Sequence, residues 1–161
     1  MRLFGPEWNS RNIKKAEAAV DNLTDQAELA QAAKNSRYAY IQIKAVGKLT
    51  DQSALIEIAK NESFEDLRKA AVCNENLNDK DVISYIAKHD KSINVREAAS
   101  GRLKKMRKIE AEKAVENRKA EVENMTDPIA LAHIAKTDNN YLIRATAINN
   151  KNLADQSVFA H

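Results

Sequence analysis

Residues 49–72 read LTDQSALIEIAKNESFEDLRKAAV, and this stretch decides the fold class. The dipeptide Thr50-Asp51 carries side-chain oxygens that accept hydrogen bonds from the free N–H groups of a first helical turn. A polar break at Lys60-Asn61 divides the stretch in two. Apolar residues on both sides have the i, i+3 or i+4 spacing of one helical face, namely Leu55, Ile58 and Ala59, then Leu67 and Ala71. The stretch therefore predicts two short helices joined by a turn.

The same pattern recurs along the chain. Each copy opens with Leu or Met and has Asp two residues later. The copies open at Leu23, Leu49, Leu77, Met125 and Leu153, at intervals of 26, 28, 48 and 28 residues. We call the four longer copies the first to fourth repeats. Short helical units that cannot bury an apolar face alone are typical of stacked repeat proteins.

Glycine and proline are scarce, since the 161 residues include three Gly and two Pro. A β-sandwich or barrel needs a turn signal about every 8–12 residues. Dinucleotide and phosphate loops need clustered glycines. The composition therefore excludes these classes and predicts an all-α protein with short connections.

Charge and cysteine content indicate the compartment. The net charge of +3 falls short of the dense basic face of a dedicated nucleic-acid binder, so it disfavours a nucleic-acid partner. The single cysteine, Cys73, cannot form an intramolecular disulfide, which favours a reducing environment. The opening MRLFGPEWNSRN lacks the apolar segment of a signal peptide, and no apolar run approaches the ~18 residues of a membrane span. We expect a cytoplasmic protein that does not enter a membrane.

Three features together resemble the HEAT-like repeats of the armadillo-type fold, in particular uncharacterised bacterial members. They are the (L/M)-(T/N)-D opening, the IAK before the break, and an acidic residue six positions ahead of an arginine. The resemblance covers residues 12–103 and 125–161. It implies an α-α superhelix, a HEAT-like solenoid of about four helical-hairpin repeats. It also implies a non-enzymatic protein-interaction scaffold without a cofactor.

Residues 1–161 are predicted to form one such domain. Residues 1–22 form an N-terminal cap, in which Leu3, Phe4 and Trp8 precede a lone second helix over 12–22 and cover the open end of the stack. Repeats one to three occupy 23–103 and a helical insertion occupies 104–124. The fourth repeat and a C-terminal capping helix occupy 125–161.

The insertion leaves two alternatives open. It contains no Gly or Pro, so residues 93–124 form either one long helix or a pair kinked near 107–110. A long helix would carry the fourth repeat away from the third and favour a homodimer in which two molecules exchange their C-terminal repeats. The alternative is a monomer with a folded-back or laterally projecting helix.

A second pattern joins acidic residues to arginines within the repeats. The pairs are Glu62 with Arg68, Asp90 with Arg96, and Asp138 with Arg144, and the first repeat has Ser36 and Gln42 instead. Because acid and base are lost together, we expect them to interact within each repeat, through a helix cap or an ion pair. The alternative is an arginine ladder for an anionic ligand. Asparagines near the helix ends (Asn74, Asn76, Asn149, Asn152) are expected to adopt the left-handed conformation.

No catalytic or metal-binding group is predicted. His89, His133 and His161 are isolated in sequence, and no Cys/His pair has zinc-ligand spacing. The predicted binding groove is lined by second helices, where side chains differ between repeats: Ile43, Lys69, Val72, Glu97, Ser100, Tyr141 and Ile148. An alternative is a nucleic-acid-binding protein related to the DNA alkylation-repair glycosylases of the same superfamily. The basic cluster Lys104, Lys105, Arg107 and Lys108 is its candidate phosphate contact.

Overall fold

The computed structural model describes residues 5–154, and all regular structure within that range is helical. A short 3-10 turn at Glu7–Asn9 precedes ten α-helices. They are α1 (Ile13–Asn22), α2 (Gln26–Asn35), α3 (Ala39–Lys48), α4 (Gln52–Asn61), α5 (Glu65–Cys73), α6 (Lys80–His89), α7 (Ile93–Glu123), α8 (Pro128–Thr137), α9 (Tyr141–Ile148) and α10 (Lys151–Ala154). Leu3 and Phe4 lie outside the described residues, and so does most of the predicted C-terminal capping helix.

Contacts group the chain into two compact units, Met1–Lys105 and Met106–His161, which we call the N-terminal and C-terminal units. Each is described by itself. In the N-terminal unit, α2 packs on α3 and α4 on α5, while α3 also contacts α1 and α5. In the C-terminal unit, α8 packs on α9, and α10 contacts both. Helix α7 contributes residues to both units.

Aspartates start the first helix of each repeat, as the sequence predicts. The Oδ1 atoms of Asp25, Asp51 and Asp79 accept hydrogen bonds from the backbone N–H three residues later, at 2.8, 2.7 and 2.9 Å. Asp127 accepts from Ile129 and Ala130, at 2.9 and 3.3 Å. Each carboxylate therefore satisfies an N–H group that has no partner inside the helix.

Second helices end without a left-handed residue, which corrects the expectation for the asparagines. No described residue has a positive φ, and Asn74 is extended with φ −65° and ψ 125°. Its side chain works instead as a donor: Nδ2 binds the carbonyl oxygens of Val46 at 2.8 Å and Leu49 at 2.9 Å. Asparagine is thus used for its amide, which satisfies carbonyls that end the preceding second helix.

Equivalent residues of the other repeats make the same backward contact. Lys48 Nζ donates to the carbonyls of Val20 and Asp21, and Arg102 Nη2 donates to that of Glu75 at 2.8 Å. Asn150 Nδ2 donates to the carbonyls of Val122, Glu123 and Met125. We call Lys48, Asn74, Arg102 and Asn150 the seam residues, because the side chain of each binds backbone carbonyls at or near the end of the preceding helix in the stack.

The four-residue turn Asn74–Leu77 explains where α5 stops and why α7 does not. In it, Asn74 Oδ1 accepts from the N–H of Asn76, and the N–H of Leu77 donates to the Asn74 carbonyl. The turn at residues 150–153 repeats both bonds. At the matching place the third repeat has Arg102, Leu103, Lys104 and Lys105, which are good helix formers. The helix therefore continues to Glu123, and α7 is one continuous helix rather than a broken pair.

The end of α7 belongs to the core of the C-terminal unit. Val122 is buried with Leu131, Ile134, Ile143 and Ala147. Val115, Met125, Ala135 and Leu153 pack around this cluster. The last turns of α7 thus stand beside α8 and α9 as α1 stands beside α3, so the predicted insertion supplies a lone second helix to the fourth repeat.

Candidate interaction surface

Exposed apolar side chains of the N-terminal unit concentrate on its second helices. We use second-helix face for the exposed side of α1, α3, α5 and the part of α7 up to Lys105. Its large apolar side chains are Ile13, Tyr40, Ile43, Phe64 and Ile93. On the first helices α2, α4 and α6, Tyr85 is the one large hydrophobic side chain recorded as exposed among the described residues. Apolar groups gathered on one face of a molecule mark an interaction surface more often than scattered ones do.

Sequence register places these residues in the first half of the second helices or just before them. Ile13 and Ile93 occupy matching positions at the start of their helices, Tyr40 lies one residue after that position on α3, and Phe64 lies one residue before it at α5. Ile43 lies one turn after the matching position on α3. Hydrogen bonds connect neighbouring second helices close to these residues: Tyr40 joins α3 to α1, and Asn94 Nδ2 joins α7 to Glu65 of α5 at 3.1 Å.

Four of the predicted groove residues lie on this unit's surface and one does not. Ile43, Lys69, Glu97 and Ser100 are exposed. Val72 is fully buried, which corrects its assignment to the groove. Its position on α5 faces the following repeat, one turn from Arg68, so stacking covers it. In the C-terminal unit, Tyr141 and Ile148 are both exposed on α9.

A four-residue polar network crosses the second-helix face between α1 and α3. Lys44 Nζ lies 2.7 Å from Asp21 Oδ1 and 2.9 Å from Glu17 Oε1, and the Tyr40 hydroxyl donates to Glu17 at 2.8 Å. Hydrogen bonds from Lys44 and Tyr40 lower the pKa of Glu17, and the bond to Glu17 raises the pKa of Tyr40. Bonds to Asp21 and Glu17 raise the pKa of Lys44. The network therefore favours the charged form of Glu17.

Arginine and aspartate pair between repeats rather than within one. Arg68 of the second repeat binds Asp90 of the third, with Nε to Oδ2 at 2.8 Å and Nη2 to Oδ1 at 2.9 Å. Within its own repeat Arg68 donates Nη1 to the carbonyls of Glu62 and Ser63, not to the Glu62 carboxylate. The hydrogen bonds from Arg68 hold the pKa of Asp90 below its usual range. The expected ion pair between Glu62 and Arg68 is therefore wrong in its partner. Asp90 and Asp138 also hold the turn before the second helix, because each Oδ1 accepts from the N–H two residues later at 2.8 Å.

The arginines of the alternative ladder hypothesis bind backbone carbonyls of their own repeats. Arg96 and Arg144 repeat the backbone contacts of Arg68, with Nη1 bound to the carbonyls of Asp90 and Asp138 at 2.7 and 2.8 Å. Neither forms an ion pair with a described carboxylate. In the first repeat, Gln42 donates to the carbonyl of Lys34 at 3.2 Å instead. The shared role of this position is to hold the turn before the second helix.

Trp8 covers one end of the N-terminal unit. It is 8% exposed, and its carbonyl accepts a hydrogen bond from the buried Ser36 hydroxyl at 3.3 Å. Asn9 Oδ1 accepts from the N–H and Nε of Arg37. An open cavity of about 1070 Å³ lies beside it, lined by Lys15, Asn22 and neighbouring residues. The Trp8 indole Nε1 is buried without a hydrogen-bond partner. The burial agrees with a capping role rather than with an exposed ring that stacks on a ligand.

No protein-family model, curated protein or solved structure matches this chain.

Candidate metal ligands do not cluster within the described residues. No cluster of three or more His, Cys, Asp or Glu side chains there could hold a metal ion. His89 stacks against Tyr85 with ring centroids 4.7 Å apart, and His133 is exposed. Cys73 is free and exposed on the second-helix face. None of the helices in the described part of the chain is long and apolar enough to cross a membrane.

Two parts of this surface escape the sequence pattern. Phe64 is the N-cap residue of α5. The predicted groove includes only residues within the second helices, so it leaves Phe64 out. The network of Glu17, Tyr40 and Lys44 joins residues 23 and 27 positions apart, a separation that becomes contact only when α1 packs against α3. The repeat length of 26 residues is the one sequence signal that could have found it.

Proposed function

We propose that this chain is a non-enzymatic interaction scaffold. In the proposed arrangement, the helical pairs stack as a HEAT-like solenoid of about four repeats, and the second-helix face of the N-terminal unit binds a protein partner. The observation that carries the proposal is the concentration of Ile13, Tyr40, Ile43, Phe64 and Ile93 on that face.

The chemistry of the face supports a protein partner. Aromatic and apolar side chains surrounded by charged ones resemble the anchor-and-rim composition of protein interfaces. Its helices stand on a buried core, so the anchors are held in place before binding, which lowers the entropy cost of association.

Ion pairs on the face and beside it weigh against the nucleic-acid alternative. On the face, Lys44 is bound by Glu17 and Asp21. Binding to a phosphate backbone rests on clustered cations. The basic cluster at the start of the insertion is partly neutralised, because Lys105 binds Glu75 at 2.7 Å and Lys108 lies 3.8 Å from Glu112.

A matched pair of variants tests the proposal. Ile43→Asp with Phe64→Asp adds two negative charges to the second-helix face, and Tyr85→Asp adds one negative charge at a site on a first helix that is as exposed as Phe64. The tagged proteins are incubated with lysate of the source organism, and the captured proteins are quantified by mass spectrometry. We expect wild type and Tyr85→Asp to capture the same specific partner in equal amounts. The amount captured by the double variant is expected to fall at least about tenfold.

Folding of each variant is checked by circular dichroism. Equal capture by all three proteins would contradict the use of this face. The homodimer with exchanged C-terminal repeats stays a separate prediction, and light scattering that gives a monomer mass at tens of micromolar would contradict it.

A further inference from the structure

One edge of each second helix faces the next repeat. On α5 this edge carries Arg68 and, one turn later, Val72. Arg68 binds Asp90 of the third repeat, and Val72 is fully buried. Val46 has the matching position on α3, is also fully buried, and its carbonyl accepts from Asn74 of the second repeat. We call this the stacking edge. Its apolar residue is buried wherever another repeat follows in the N-terminal unit.

The two units end differently at this edge. In the third repeat the matching residue is Ser100, which is exposed and polar. Terminal repeats need a polar outer face, and Ser100 meets that need. In the fourth repeat the matching residue is Ile148, which is 58% exposed. Ala135 of α8 is partly exposed, whereas the matching alanines of the first two repeats, Ala33 and Ala59, are buried. Among the described residues, α9 therefore presents an edge of the kind that is buried in the first two repeats.

Arg144 provides a second, independent feature of the same edge. Its Nη1 is fixed by the Asp138 carbonyl at 2.8 Å, just as Arg68 Nη1 is fixed by the Glu62 carbonyl at 2.8 Å. In Arg68 the remaining side of the guanidinium takes both oxygens of Asp90. In Arg144 that side makes no ion pair with a described carboxylate. A guanidinium held in this way is preorganised for a bidentate carboxylate.

The turn after α9 also matches a turn that leads into another repeat. Residues 150–153 reproduce the hydrogen bonds of residues 74–77, which connect α5 to α6. Asn76 and Asn152 both donate Nδ2 to the carbonyl that opens their own repeat, Leu49 or Met125. Residues 150–153 thus form the same kind of connection that leads from α5 into α6.

We propose that the stacking edge of α9, with Arg144 and Ile148 at its centre, docks a further helical hairpin of the same repeat type. The hairpin carries Asp or Glu at the position of Asp90, and its carboxylate binds Arg144 while its apolar residues cover Ile148. This surface is distinct from the second-helix face, so the inference does not rest on the proposed function. The N-terminal end of a second copy does not supply such a hairpin, because Ser36 has the position of Asp90 there and is buried against Trp8.

A fusion tests the inference with the full chain. Residues 153–161, LADQSVFAH, align with residues 77–85, so appending a copy of residues 86–103 after His161 completes a fifth repeat in sequence, including a copy of Asp90. The same fusion is made in an Arg144→Gln, Ile148→Ser host, and a third fusion changes the appended aspartate to Asn. Hydrogen exchange and urea unfolding are measured for all three.

We expect the appended amides to exchange at least about tenfold more slowly in the wild-type host than in the double-variant host, with an intermediate rate for the Asn fusion. The urea m-value is expected to rise over that of the unfused chain, because more surface is exposed on unfolding. The unfused double variant is expected to keep the wild-type unfolding midpoint, because Gln at 144 can bind the turn carbonyl as Gln42 binds that of Lys34, and Ile148 is exposed. An unchanged midpoint shows that the host folds.

Two results would overturn the inference. The first is equal exchange of the appended amides in both hosts, whether fast or slow, because docking would then be absent or would use another surface. The second is self-association of the unfused chain, measured by light scattering, that Ile148→Ser abolishes. In that case a second copy, not a further hairpin, occupies the edge.

Discussion

Arg68 and Asp90 form a two-point contact between consecutive repeats, with both oxygens of the carboxylate bound by one guanidinium. Their side chains are 2% and 7% exposed. The third nitrogen of Arg68 binds the carbonyls of Glu62 and Ser63 at 2.8 and 2.9 Å. One side chain therefore holds the turn of its own repeat and the corresponding turn of the next. Because its partners are in place, burial of the charge is compensated.

Arg68→Met is expected to lower the free energy of unfolding by about 3 kcal/mol, since it leaves the buried Asp90 carboxylate and two carbonyls without donors. Arg96→Met is the matched control, because Arg96 makes the same backbone contacts without a described carboxylate partner. We expect the control to lose about 1 kcal/mol. Urea unfolding monitored by circular dichroism measures both. Equal losses would show that the carbonyl contacts, not the ion pair, carry the effect.

The pH dependence of stability should report the same pair. Hydrogen bonds from Arg68 lower the folded-state pKa of Asp90 below its ordinary value of 3.8. Because this folded-state pKa is below the unfolded-state value, the charged Asp90 carboxylate contributes fully to the free energy of unfolding above about pH 5. That contribution is lost as pH falls below 3.8. We therefore expect the wild type to be more stable than Asp90→Asn by about 2 kcal/mol at pH 6.

The difference between these two proteins should shrink between pH 5 and pH 2.5, as urea unfolding at several pH values would measure. The carboxyls of Glu17, Glu65 and Glu75 also have lowered pKa values, but they are common to both proteins and cancel in the comparison. A difference that stays constant down to pH 2.5 would contradict a folded-state pKa shift at Asp90.

The length of α7 should depend on residues 102–105, which lack the turn sequence that ends α5 at residues 74–77. Arg102→Asn, Lys104→Asn and Lys105→Leu together install the pattern of residues 74–77 at residues 102–105. The new amide at 102 has the place from which Asn74 reaches back to the carbonyls of Val46 and Leu49. We expect the helix to end near Gly101, and the amides of residues 104–110 to exchange about tenfold faster.

Lys104→Asn alone is the control for this variant. It removes a helix former without creating the turn, so exchange over residues 104–110 is expected to change little. If the triple variant also keeps wild-type exchange there, the turn sequence does not decide where the second helix ends.

Local structure follows from the sequence because its causes are local. The Asp side chains at positions 25, 51, 79 and 127 cap helices because the N–H groups they bind are two or three residues away. The apolar stripes fix which side of each helix is buried: Leu55, Ile58 and Ala59 lie in the core as their spacing predicts. An absence of helix breakers between Gly101 and Pro128 likewise predicts a helix across the insertion.

Contacts between repeats are decided by the tertiary structure. The spacing of Glu62 and Arg68 points to a pair within one repeat, yet Asp90, 22 residues away, takes the guanidinium because stacking brings it closer. Val72 and Ile148 occupy the same place in the repeat, but Val72 is fully buried and Ile148 is 58% exposed. One repeated pattern thus specifies a helical pair many times, whereas burial and partner choice at its edges depend on which neighbour stacks there.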